Sequence, residues 1–144
     1  MKNLIVSSAD AKYSHLLIEL YHSLKPCIKD KYDFAIFDCG LDPKTIDFFN
    51  ENQIKVVKPD WEFDVPSYKV RGRENLKIQF SRFYLDKYFL GYENYIWLDS
   101  DTWINCPDTF DLYLKGSEIN GFSITPQVDR AYSKLIDIKW LIGG

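Results

Sequence analysis

Two carboxylates, Asp99 and Asp101, stand two residues apart at the end of the apolar run 95–98. Placed that close together beside an apolar strand, they repel one another and call for a compensating positive charge. A hard divalent cation, Mn2+ or Mg2+, supplies it, because such an ion takes oxygen ligands and keeps positions open for substrate phosphates. Bridging a diphosphate, it would offset the charge that develops as the diphosphate leaves. Asp also ends strands in turns by bonding its own backbone, so spacing alone leaves both readings open.

Other candidates carry weaker signals. The apolar run 4–6 ends in Ser7, Ser8, Ala9 and Asp10, where Asp10 occupies a helix N-cap position. Tyr13 follows on the apolar stripe of the next helix, which reads as core packing, although its place in the first helical turn leaves the ring able to stack on a flat ligand. Lys12 either reaches a phosphate or is solvated. Arg82 has Asp86 four residues on, the spacing of a helix-surface ion pair. His15 and His22 share only Glu19 at helical spacing and read as surface residues. Lys69, Arg71 and Arg73 read as a solvated loop, and Trp61, Trp97, Trp103 and Trp140 as mostly core.

The elements that must position these groups alternate. Runs at 4–6, 34–37, 54–57, 95–98 and 122–125 read as strands. Leu16, Leu17, Leu20, Tyr21 and Leu24 recur on one helical face, and Pro26 stops that helix. Asp42–Pro43 caps and opens a helix to about residue 50. Residues 60–72 read as a loop. Residues 74–90 form the longest helical pattern, closed by Gly91. Pro107 opens a short helix to about residue 114, and 134–142 is apolar without a clear period. Strand–helix alternation predicts an α/β, Rossmann-like, mostly parallel sheet with helices on both faces. Such sheets bind ligands beyond the carboxyl ends of strands where the strand order reverses. If the first three strands build one way and the fourth the other, the ends carrying Asp10 and Asp99 become neighbours.

Composition bounds the rest. At 144 residues the chain fits one domain, and 46% hydrophobic residues exclude disorder. With 18 basic against 21 acidic residues there is no cationic surplus for nucleic acid. Three cysteines without a CxxC predict a reduced, cytoplasmic protein. No run is long enough for a signal peptide or a membrane span. Peripheral association with the inner face of a membrane is compatible with this.

YIWLDSDTWI, preceded by RENLKIQFSRFYLDKYFLGYEN and, far upstream, NLIVSSADAKYSHLL, resembles the GT-A glycosyltransferases, most closely family 8. The resemblance covers residues 3 to about 125. It implies a metal-dependent, retaining hexosyltransferase that moves a sugar from a UDP-sugar donor to a carbohydrate or glycolipid acceptor in surface polysaccharide or lipopolysaccharide synthesis. It places Ser8, Ala9, Asp10, Tyr13, Arg82, Asp99 and Ser100 on the nucleotide-sugar and Asp99 and Asp101 on Mn2+ or Mg2+. No residue matches a catalytic nucleophile.

Two departures stand out. Family 8 completes its metal site with a distant downstream His, and no His follows His22 here. The family's donor-sugar Asp has its nearest counterpart here in Asp129, in the stretch after the run 122–125. The expectation is therefore a single nucleotide-sugar-binding domain over 1–144 that lacks the acceptor-binding part. Three other readings compete. A haloacid-dehalogenase-like phosphatase has Thr or Val where this chain has Trp103, and a nucleotidyltransferase needs glycines that SSADAKYS lacks. A non-catalytic nucleotide-binding remnant is the third.

Overall fold

The computed structural model describes residues 2–26, 28, 31–73, 75–106 and 108–125. The chain divides into two compact units, Met1–Pro107 and Asp108–Gly144. The first unit holds four strands, β1 (Asn3–Ala9), β2 (Tyr32–Asp38), β3 (Lys55–Val57) and β4 (Asn94–Trp97). Its helices are α1 (Ser14–Leu24), α2 (Pro43–Glu51), α3 (Ser67–Val70), α4 (Leu76–Ser81) and α5 (Leu85–Tyr88). The second unit contributes α6 (Thr109–Asn120).

All pairings are parallel and the strand order is β3-β2-β1-β4, so the reversal expected from the alternating pattern falls between β1 and β4. β1 and β2 are buried on both faces, which is why both read as continuous apolar runs. On one face Leu4, Val6, Ala35 and Phe37 pack against Ile78, Leu85 and Phe89 of the α4–α5 segment. Residues alternate along a strand, so Ile5 and Ile36 point to the other face. There the rings of Phe34, Phe48 and Phe49 surround Tyr21 of α1, with centroids 5.8–6.0 Å away. Burial of each such side chain contributes about 1.5–3 kcal/mol. α2 starts as predicted: Asp42 accepts from the Thr45 amide (3.0 Å) and hydroxyl (2.7 Å). Those bonds hold the Asp42 carboxyl below its ordinary range.

Several elements differ from the sequence pattern. The helix predicted over 74–90 is two short helices. Phe83 and Tyr84 donate to Phe80 and Ser81, bonds three residues back that tighten the turn after α4. This break lets both Ile78 and Leu85 reach the same core. The loop over 60–72 contains α3, whose C-terminal carbonyls are capped by arginine side chains: Arg71 donates to Tyr68, and Arg73 to Val70 and Lys69. α6 runs past residue 114 to Asn120, where Gly121 at φ +79° ends it. Gly116 sits inside that helix because a Cβ there would lie 2.8 Å from Ser123 Oγ. Residues 122–125 form no strand. Trp140, Asp129 and the stretch 134–142 lie outside the described residues. Among the described residues, no helix is long and apolar enough to cross a membrane.

Candidate functional site

The site grows out of how the central strands end. β1 and β4 pair as far as Val6 and Trp97, and Leu98 extends the ladder by donating to Val6 O at 3.0 Å. Asp99 is thus the first residue released from the ladder. On its other side, β1 is held to the end of β2. Cys39 donates to Ala9 O (3.1 Å), and Ala11 donates to Gly40 O (2.9 Å). Gly40 makes this possible at φ +109°, a left-handed conformation that costs other residues strain.

Asp10 does not cap α1, as its sequence position predicted. The helix begins four residues later, with Tyr13 at the N-cap and no side-chain cap. Asp10 Oδ1 instead accepts from the amides of Lys12 (2.9 Å) and Tyr13 (3.2 Å), closing a separate turn. That turn lifts the Tyr13 ring off the apolar stripe and leaves it 44% exposed rather than in the core. The Lys12 ammonium lies 5.1 Å from the ring centroid.

The Asp99–Ser100–Asp101 turn is far less committed. Asp99 Oδ1 accepts from the Trp97 indole Nε1 at 2.9 Å. Among the described residues, its other oxygen and both oxygens of Asp101 accept no hydrogen bond, and both residues are exposed. The indole contact fixes one rotamer of Asp99 while leaving an oxygen outward. Among the described residues, no group of three or more His, Cys, Asp and Glu converges as a preformed metal cage. The donor set therefore fits a hard cation that completes its shell from a diphosphate and water, which is the habit of Mg2+ and Mn2+.

Arg82 closes α4 and, because the helix breaks there, forms no ion pair with Asp86. Its buried Nε has no hydrogen-bond partner among the described residues, and its guanidinium carbon lies 5.3 Å from the Phe83 ring centroid. A buried guanidinium N–H left unpaired costs on the order of 1–3 kcal/mol. It marks a group still lacking its acceptor.

These parts face one another across a cleft of about 360 Å3, within the size range of small-molecule sites. Ser8, Ala9, Asp10 and Tyr13 line it from the end of β1, Asp99, Ser100 and Asp101 from the end of β4, and Arg82 from α4. The eight residues that the resemblance assigns to the nucleotide-sugar and the metal are all there, whereas Lys12 is not among the lining residues. The cleft also contains Asn75, Gln79 and Cys39, which sequence reading missed. Asn75 and Gln79 lie seven and three residues before Arg82, so helical spacing from the arginine would have found them. Cys39 directly follows β2, beside the end of β1. Burial pushes its thiol up to about 12, opposed in part by a hydrogen bond with Ser8. His15 and His22 are exposed on α1, as predicted.

A parallel sheet of this order with a cleft at its reversal is a doubly wound α/β arrangement, and among solved structures it superposes on glycosyltransferases of the GT-A fold. The galactosyltransferase LgtC, in complex with donor and acceptor sugar analogs, superposes with a TM-score of 0.55 at 20% identity over 76% of this chain. The Q189E active-site mutant of LgtC gives the same values. S. aureus TarS 1–349 reaches 0.48 at 16% identity over 84% of this chain and 33% of its own. The chain spans 41% of the length of LgtC. No family model matches the sequence, and no curated protein does.

Proposed function

We propose that this domain binds a nucleoside-diphosphate sugar, with UDP as the nucleotide, and serves metal-dependent transfer of its hexosyl group to a carbohydrate or glycolipid acceptor. The chemistry is that of family 8 glycosyltransferases. One observation carries the reading. Residues from three distant segments, chosen from sequence for one ligand, line a single cleft at the switch point of the sheet.

In this reading Tyr13 offers its exposed ring to the base, and the free oxygen of Asp10 accepts from the base or ribose. The Ser8 and Ser100 hydroxyls bond the ribose and phosphates. Arg82 gives its unpartnered Nε–H to a diphosphate oxygen and neutralises part of its charge. Asp99 and Asp101 hold Mn2+ or Mg2+, with Trp97 keeping Asp99 in place. The ion, when bound, stabilises negative charge on the departing diphosphate. Transfer breaks the bond between the anomeric carbon and the diphosphate oxygen and forms one to an acceptor hydroxyl, whose proton leaves. Retention of configuration and a role in surface polysaccharide or lipopolysaccharide synthesis follow from the family resemblance.

Isothermal titration with UDP, with and without Mn2+, tests the reading. Binding that tightens at least about tenfold with Mn2+ is expected. Absence of heat in both titrations would overturn it.

A further inference from the structure

We infer that Asn75 and Gln79 form a reader of sugar hydroxyls along the α4 wall of the cleft, an inference that rests on the nucleotide-sugar reading above. Both side chains line the cleft, one helical turn apart, with Ile78 between them. Neither amide bonds to any described residue. Asn75 occupies the N-cap position of α4, where Asn ordinarily bonds the helix's own amides. Here its backbone is helical (φ −61°, ψ −17°) and its side chain caps nothing. Gln79 projects from the middle of the same helix, free of the backbone.

The chemistry of these groups narrows what they recognise. An amide donates and accepts at once, as a hydroxyl does, so two amides one turn apart match neighbouring hydroxyls on a sugar ring. A phosphate only accepts, and Arg82, with a cation held by Asp99 and Asp101, would already answer a diphosphate. Two neutral amides add hydrogen bonds without adding charge, which suits a polyhydroxylated ring beside that diphosphate. The hydroxyls belong either to the transferred hexose or to the ribose.

Titration of wild type, Asn75→Ala and Gln79→Ala with UDP, 2′,3′-dideoxy-UDP, UDP-glucose and UDP-galactose in Mn2+ separates these sources. Both residues are exposed, so far-ultraviolet circular dichroism should match wild type. Each variant is expected to weaken binding about 3- to 10-fold, the value of one neutral hydrogen bond. Loss confined to the two UDP-sugars assigns the amides to the hexose. Loss with UDP that vanishes with the dideoxy nucleotide assigns them to the ribose. Unchanged affinities, or equal loss with all four ligands, would overturn the inference and leave the nucleotide reading intact. A wild-type chain that binds none of the four would overturn both.

Discussion

The two strand ends that face each other across the cleft are built on opposite plans. At the end of β1 the backbone is tied down: Asp10 holds two amides, and Ala9 and Ala11 are bonded to the segment after β2, although the buried Ser7 Oγ has no partner among the described residues. At the end of β4, Asp99 has one indole contact and Asp101 none among the described residues. The first end is rigid before any ligand arrives. The second keeps its charge exposed and is completed only by what binds. A cleft of this kind fixes the shape of its ligand on one side and its charge on the other.

That contrast can be broken most directly at β4. Asp99→Asn with Asp101→Asn should abolish the Mn2+-dependent part of UDP binding, a loss of at least ~10-fold by titration. Because both residues are exposed, unfolding in urea should shift by less than ~0.5 kcal/mol. A large stability loss would mean that the turn is structural. Asp10→Ala should do the reverse. Losing both turn bonds should cost about 1 kcal/mol, lowering the melting temperature by about 2–4 °C, while the response to Mn2+ persists.

Gly40→Ala sharpens the same point. A Cβ there meets nothing within 4 Å, so the whole penalty is backbone strain at φ +109°. About 1 kcal/mol in urea unfolding is expected. A further test concerns Cys39. Iodoacetamide at pH 8 should label exposed Cys106 well before Cys39, as read by peptide mass, because burial holds the Cys39 thiol protonated up to about 12. The folded state keeps this proton where an unperturbed thiol, at 9.0, has lost it. Its contribution to stability is therefore full below pH 9 and fades between pH 9 and 12. Cys39→Ser should flatten that part of the pH profile.

Much of this was legible in the sequence because the sheet is buried on both faces. Strands such as β1 and β2 then show as unbroken apolar runs, and the polar residues that end them stand out. The reversal beside β1 entered the sequence reading only as a condition, and the strand order β3-β2-β1-β4 meets it. Legibility failed where tertiary packing overrode local period. Phe80, Phe83 and Tyr84 continue an apolar stripe after Leu76, yet all three are at least 37% exposed. The core selects Ile78, Leu85 and Phe89 instead, and the helix breaks to present them. Asp10 misled for a related reason: a turn cap and a helix cap use the same side chain, and only the backbone path to Ser14 separates them. Asn75 and Gln79 were overlooked because neutral amides on a helix usually face water.

The strand order also shapes how the molecule comes into being. β1 is made first but ends up in the interior of the sheet, with β2 on one flank and β4 on the other. Its second flank stays bare until Asn94–Trp97 leave the ribosome, a wait on the order of 4–17 s at ordinary synthesis rates. During that interval a seven-residue strand centred on the apolar run Leu4, Ile5 and Val6 offers an open hydrogen-bonding edge to other chains. Expression trials should therefore find aggregation governed by the late arrival of β4, and slowing translation before residue 94 should make it worse.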